Sequence, residues 1–167
     1  MHGRMRLLVV LDETPISRRA VAYVATVVGR RRGFRLCLVH FARPTVEAPQ
    51  SHNGGEAERD GPPHHGPYAQ LRRSHPGVRR SAQAAFTRSR TALRNAGVPA
   101  TALDTQFFDP AERRRAASLI LDLARSSKCD TIVVGRGSAP WLCELNPGDL
   151  AEELVRRGNG LTIWIVE

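Results

Sequence analysis

The run Thr131-Ile-Val-Val-Gly135-Arg-Gly137-Ser138, followed by Gly148-Asp149, most constrains how this chain can fold. A short run of β-formers ends in glycine, opens into a glycine-bearing loop and closes on a helix start. In α/β proteins such glycines let backbone N–H groups approach a ligand, and the next helix presents its positive end to an anion. A second apolar run, Leu7–Leu11, stands near the start and leads into Asp12. Continuous apolar runs of this kind are strands buried on both faces, as parallel sheets require.

The segments between these runs read as helices. Thr14-Pro15 is an N-cap followed by proline at the first helical position. Ile16, Ala20, Val24, Val27 and Val28 recur at helical spacing, and Gly29 terminates the pattern. Arg30–Arg32 at that end suit the negative end of the helix dipole. Arg35–Phe41 predicts a second strand, so the chain opens with a right-handed strand–helix–strand unit.

Regularity lapses over 42–80, where Pro44, Pro49, Gly54-Gly55, Gly61-Pro-Pro63 and Pro76-Gly77 leave no apolar period. This stretch predicts a mobile Pro/Gly/His-rich insertion within a single domain spanning 1–167. Its His52, His64, His65 and His75 have no rigid backbone to hold a metal, so no metal site is expected.

Beyond it, the pattern predicts a helix from Ser81 to Gly97 and a third strand over Ala100–Phe107. A capping box at Asp109-Pro110-Ala111-Glu112 opens a third helix, and Asp130–Val134 is the fourth strand. A second capping box, Asp149–Glu152, opens a helix to Arg157, and Leu161–Val166 is the last strand. Strands and helices in strict alternation make an α/β fold, an open parallel sheet with helices on both faces.

Length, cysteines and charge narrow the function classes. At 167 residues the chain forms a core without staples. Cys37, Cys129 and Cys143 are odd in number and widely spaced, which argues for a reducing, cytoplasmic setting. Leu7–Leu11 is far too short for a membrane span, and no cleavage site follows it. The formal charge of +9 invites nucleic acid, but the arginines are scattered along the chain and aromatics make up 5% of it. Those two facts argue against nucleic acid as a partner.

Taken in register, these residues resemble the universal stress protein family. Its opening pattern, Asp-Gly-Ser-x-x-Ser-x-x-Ala-Leu, is similar to Asp12-Glu13-Thr14-Pro15-Ile16-Ser17-Arg18-Arg19-Ala20-Val21. Its His-Val at the end of the second strand is matched by His40-Phe41, and its Gly-Asp-Pro by Phe108-Asp109-Pro110. Its nucleotide motif is Gly, two residues, Gly, nine residues, Gly, then Ser or Thr. In that frame stand Gly135, Ser138, Gly148 and Asp149, with two identities changed.

The resemblance implies five parallel strands in the order 3-2-1-4-5, a Rossmann-like, adenine nucleotide α-hydrolase-like sheet. It also implies an adenine-nucleotide site. Asp12 would sit at the adenosine end and the backbone at Phe41 would bracket the adenine. Val10 stands where the family often has proline. Gly135, Arg136, Gly137, Ser138, Gly148 and Asp149 would form the phosphate loop. The cofactor would be ATP or AMP, with magnesium for a triphosphate.

The two changes weigh against that cofactor. Ser138 puts a side chain where backbone should meet phosphate and resists a positive φ by about 1 kcal/mol. Asp149 is a good N-cap, yet its carboxylate would sit in the anion site. A phosphate charge ~4 Å away is opposed by on the order of 4 kcal/mol at an effective dielectric of 20. The helix end returns only about 0.3–1 kcal/mol.

Three readings follow. The first is a regulatory or interaction module with weak or no ATP binding. It would be a homodimer through Leu161–Val166, which ends the chain with no segment after it to cover an edge, and it would act on an unknown protein partner. The second is an ATP- or AMP-binding member in which Arg136 or magnesium compensates Asp149. The third is an enzyme such as a nucleotide hydrolase. No paired acid–base set accompanies Asp12 and Glu13, so no catalytic residue is assigned.

Overall fold

The computed structural model describes residues 5–41, 76–108, 116–138 and 149–167. Five strands are present: β1 (Met5–Leu11), β2 (Phe34–Phe41), β3 (Leu103–Phe108), β4 (Thr131–Gly135) and β5 (Thr162–Val166). Between them run α1 (Pro15–Val28), α2 (Pro76–Asn95), α3 (Ala116–Ser126) and α4 (Leu150–Arg157). All strands pair in parallel, in the order β3-β2-β1-β4-β5. The Rossmann-like sheet and its 3-2-1-4-5 order are those the sequence and its resemblance imply.

The period-two geometry of β1 divides the interior. Leu7, Val9 and Leu11 turn to one face and pack with α1 and α2, while Leu8 and Val10 turn to the other and pack with α3 and α4. Thr14 caps α1 as expected, its Oγ1 accepting the Ser17 N–H at 3.2 Å, with Pro15 opening the helix. Gly29 ends it, donating its N–H to the Ala25 carbonyl at 2.9 Å.

Several element bounds differ from the sequence reading. α2 begins at Pro76, so the irregular stretch does not run to 80. Proline at a helix start forfeits an N–H that has no intrahelical partner anyway, so Pro76-Gly77 opens the helix rather than extending the loop. β3 begins at Leu103 because Ala100–Ala102 form a 3₁₀ turn, closed by the Ala102 N–H on the Pro99 carbonyl at 2.9 Å. The last strand starts at Thr162, since Leu161 closes a turn on the Gly158 carbonyl at 2.9 Å. The bulk of the 42–80 insertion, its histidines and the capping box at 109–112 lie outside the described residues.

One consequence of the strand order positions the site. β1 lies between β2 and β4, and the helices that follow β1 and β4 cover opposite faces. The strand order reverses between β1 and β4, at whose carboxyl ends Asp12 and Gly135 stand, the place where ligands bind in open α/β sheets.

Candidate functional site

The loop after β4 is a tight turn. The Ser138 N–H donates to the Gly135 carbonyl at 3.0 Å, and Gly137 takes a φ of +70° at the third position. Only glycine adopts that conformation without strain. Ser138 therefore escapes the positive φ, because the glycine one position earlier supplies it. Its side chain is fully buried, and its Oγ has no hydrogen-bond partner among the described residues. Gly135 is needed for a different reason. A Cβ there would meet Ile16 Cγ2 at 2.3 Å and Ser138 Oγ at 2.6 Å, so the first turn of α1 closes directly onto the loop.

Asp149 joins this loop to α4. It has extended backbone and caps the helix, with Oδ1 accepting the Ala151 N–H at 3.3 Å. Its Oδ2 accepts the Gly137 N–H at 3.4 Å. One carboxylate thus takes a donor from the phosphate-type loop and a donor from the helix end, the two kinds of group that would hold a phosphate. A nucleotide phosphate does not fit these donors while the carboxylate is on them.

Arg136, the candidate to offset that charge, is turned elsewhere. Its Nε lies 2.8 Å from Glu167 Oε1, and its N–H donates to the Val166 carbonyl at 2.8 Å. Gly148, the last glycine of the motif, lies outside the described residues, as does Cys143.

At the carboxyl end of β1, Asp12 is buried and locally bonded. Its Oδ1 accepts the Thr14 N–H at 2.7 Å and the Thr14 hydroxyl at 2.5 Å, and its own N–H donates to Ser17 Oγ at 3.0 Å. The carboxylate thereby shapes the entry to α1. Val10 is a fully buried core residue opposite Val39, and its side chain has no path to a ligand. Phe41 is buried too, its ring stacked on Phe108 at 4.9 Å. A cavity of about 170 Å³ beside Asp12 and Ser17 falls below the ~300 Å³ at which small-molecule pockets usually begin.

Sequence reasoning missed one polar cluster. Glu13 Oε1 accepts the Ser81 hydroxyl at 2.8 Å and lies 3.5 Å from His40 Nε2. The His40 ring is fully buried between Phe107, stacked at 6.2 Å, and Phe86. Burial, helped by the charge of Arg88, lowers its pKa to about 4. The Ser81 hydroxyl donates to a carboxylate rather than to the imidazole, so this is no nucleophile–base pair. The hint in the sequence was Glu13 standing where the resembled family has glycine. Among the described residues, no three His, Cys, Asp or Glu side chains form a metal-binding group, and no helix is long and apolar enough to cross a membrane.

The model of the Universal stress protein family matches residues 3–159. The chain belongs to that family. The universal stress protein of Archaeoglobus fulgidus superposes with a TM-score of 0.60 at 17% identity, covering 99% of this chain and 95% of that one. The A. fulgidus protein in complex with dAMP gives 0.57 at 15%, covering 98% of each. A universal stress protein in complex with cAMP gives 0.60 at 15%, covering 99% of this chain and 98% of that one. At such identities the likeness establishes the fold. No curated protein matches the sequence.

Proposed function

We propose that this universal stress protein is a regulatory or interaction module that binds ATP weakly or not at all. It works without catalysing a reaction, in the cytoplasm and as a homodimer. The observation that carries this reading is the Asp149 carboxylate held between the Gly137 and Ala151 N–H groups. To enter, a phosphate must displace that carboxylate or sit beside it against repulsion on the order of 4 kcal/mol. Free Cys37 and Cys129 suit a reducing compartment. The partly buried Ile163, Trp164, Ile165 and Val166 of β5 give the sheet an apolar edge for a second copy to pair with.

A second reading is favoured by the relatives in complex with dAMP and cAMP. An adenine mononucleotide brings one phosphate, so it meets less repulsion than ATP does. Calorimetric titration with ATP·Mg and with AMP decides between the two. In the first reading the wild type gives no saturable heat at 100 µM nucleotide or below (~0.1 mM), and Asp149→Ser gains at least tenfold in ATP affinity by keeping an N-cap while losing the charge. Micromolar ATP binding by the wild type, weakened by Asp149→Ser, would overturn it and make Asp149 a ligand for magnesium or ribose.

A further inference from the structure

At the end of the sheet opposite Asp149, the fold gathers Arg6, Arg30, Arg31, Arg32, Arg35 and Arg90 around two clefts. The first, of about 530 Å³, is lined by Arg6, Arg35 and Arg90. The second, of about 590 Å³, is lined by Arg30–Arg32 and Arg35. Arg35 lines both, so the clefts adjoin. Each volume lies within the roughly 300–1,000 Å³ of small-ligand pockets.

Part of this charge has a structural use. α1, α2 and α3 deliver their carboxyl ends here, each worth about half a negative charge. Arg6 Nη1 donates to the Ser127 carbonyl just past α3 at 2.8 Å. Asp104 lies 3.6 Å from Arg35, and Asp130 accepts the Arg6 backbone N–H at 2.8 Å. Those groups together offset about three and a half of the six positive charges, which leaves a surplus above two. The thiols of Cys37 and Cys129, also in the first cleft, add nothing negative. Burial pushes Cys37 up to about 12 and raises Cys129 as well.

A surplus held in concave walls focuses a positive potential, and guanidinium forks match phosphate oxygens in pairs. A flat lipid surface would touch only the rims of the clefts, and a duplex is too stiff to follow two of them. A flexible strand can lay successive phosphates along both. Phe34, half-buried in the second cleft, adds a ring of the kind on which bases stack. We propose that this face binds single-stranded nucleic acid through its phosphates. The arginines look scattered along the chain because β1, the passage from α1 into β2, and α2 each contribute some of them.

The test is fluorescence anisotropy of a labelled 12-nucleotide RNA (~12, enough to span both clefts) titrated with the full chain over a range of salt. Arg31→Glu with Arg32→Glu should weaken binding at least tenfold and flatten the log–log salt slope by about 1.4, since each single-strand phosphate contact is worth ~0.7. Arg19→Glu with Arg80→Glu makes the same change in net charge at the far end of the sheet and should shift affinity less than threefold. If circular dichroism shows the first pair misfolded, Arg31→Gln with Arg32→Gln gives a smaller loss of the same sign. Equal losses from both Glu pairs would overturn the proposal, and so would no binding at low salt. Tighter binding to a duplex of the same length, or to vesicles containing phosphatidylserine, would assign the face to those surfaces instead.

Discussion

At Gly135 the space a methyl group needs is already filled by Ile16 Cγ2 and Ser138 Oγ. Gly135→Ala should therefore lower stability by about 1–3 kcal/mol through overpacking. The urea midpoint measures it, and an unchanged midpoint would mean the loop gives way. His40 carries a pH dependence. Its pKa is lowered to about 4 in the folded protein against about 6.5 in the unfolded chain, so unfolding takes up a proton between those values. The associated stability is complete above pH 6.5 and is lost as pH falls toward 4, by up to about 3 kcal/mol. In denaturant melts at pH 7 and pH 5, His40→Phe should remove most of that slope. A slope of the same size in the variant would assign it to other groups. At this scale much of the site was legible from spacing. The motif frame points to Gly135, with Gly137 one position ahead of the frame's second glycine, and the N-cap signature points to Asp149. The inward turn of Ser138 and the Glu13–His40 contact were not legible, because both depend on how loop and helix pack rather than on what neighbours them in the chain.

Elements show the same division. Apolar runs mark four of the strands and capping residues mark α1 and α4, while the starts of α2 and β3 differ from the sequence reading. Both lie where a proline permits either a helical turn or a loop, and contacts made elsewhere decide between them. β5 is the element with most to reveal. The Thr162 N–H and the Val166 carbonyl bond toward β4, on Asp130 and Arg136. By alternation the backbone groups of Ile163 and Ile165 face away from it. Ile165→Pro should thus spare the β4 ladder while removing an outward donor. If a second copy pairs with this edge, sedimentation will show a dimer for the wild type at about 10 µM and a monomer for the variant, in the range where edge pairing of this kind is measurable. A wild-type monomer, or a variant that stays dimeric, would place any interface elsewhere.

Across the whole molecule, a shared sheet separates two cores. Leu38 belongs to the core under α1 and α2, and Leu121 to the core under α3 and α4. Leu38→Ala and Leu121→Ala should each lower stability by about 2–5 kcal/mol and add within about 0.5 kcal/mol. Both should do so in one cooperative transition that circular dichroism and tryptophan fluorescence report alike. Two separate transitions would mean the layers unfold independently. The carboxylate at the head of α4 has a physiological consequence. A protein whose loop is completed by a captured nucleotide gains stability with ligand supply, about 2.7 kcal/mol at a hundred times its Kd. Its abundance then follows the energy state of the cell. On the proposed reading, a loop answered by a carboxylate from its own chain would be indifferent to that supply and would keep its shape when nucleotide is scarce.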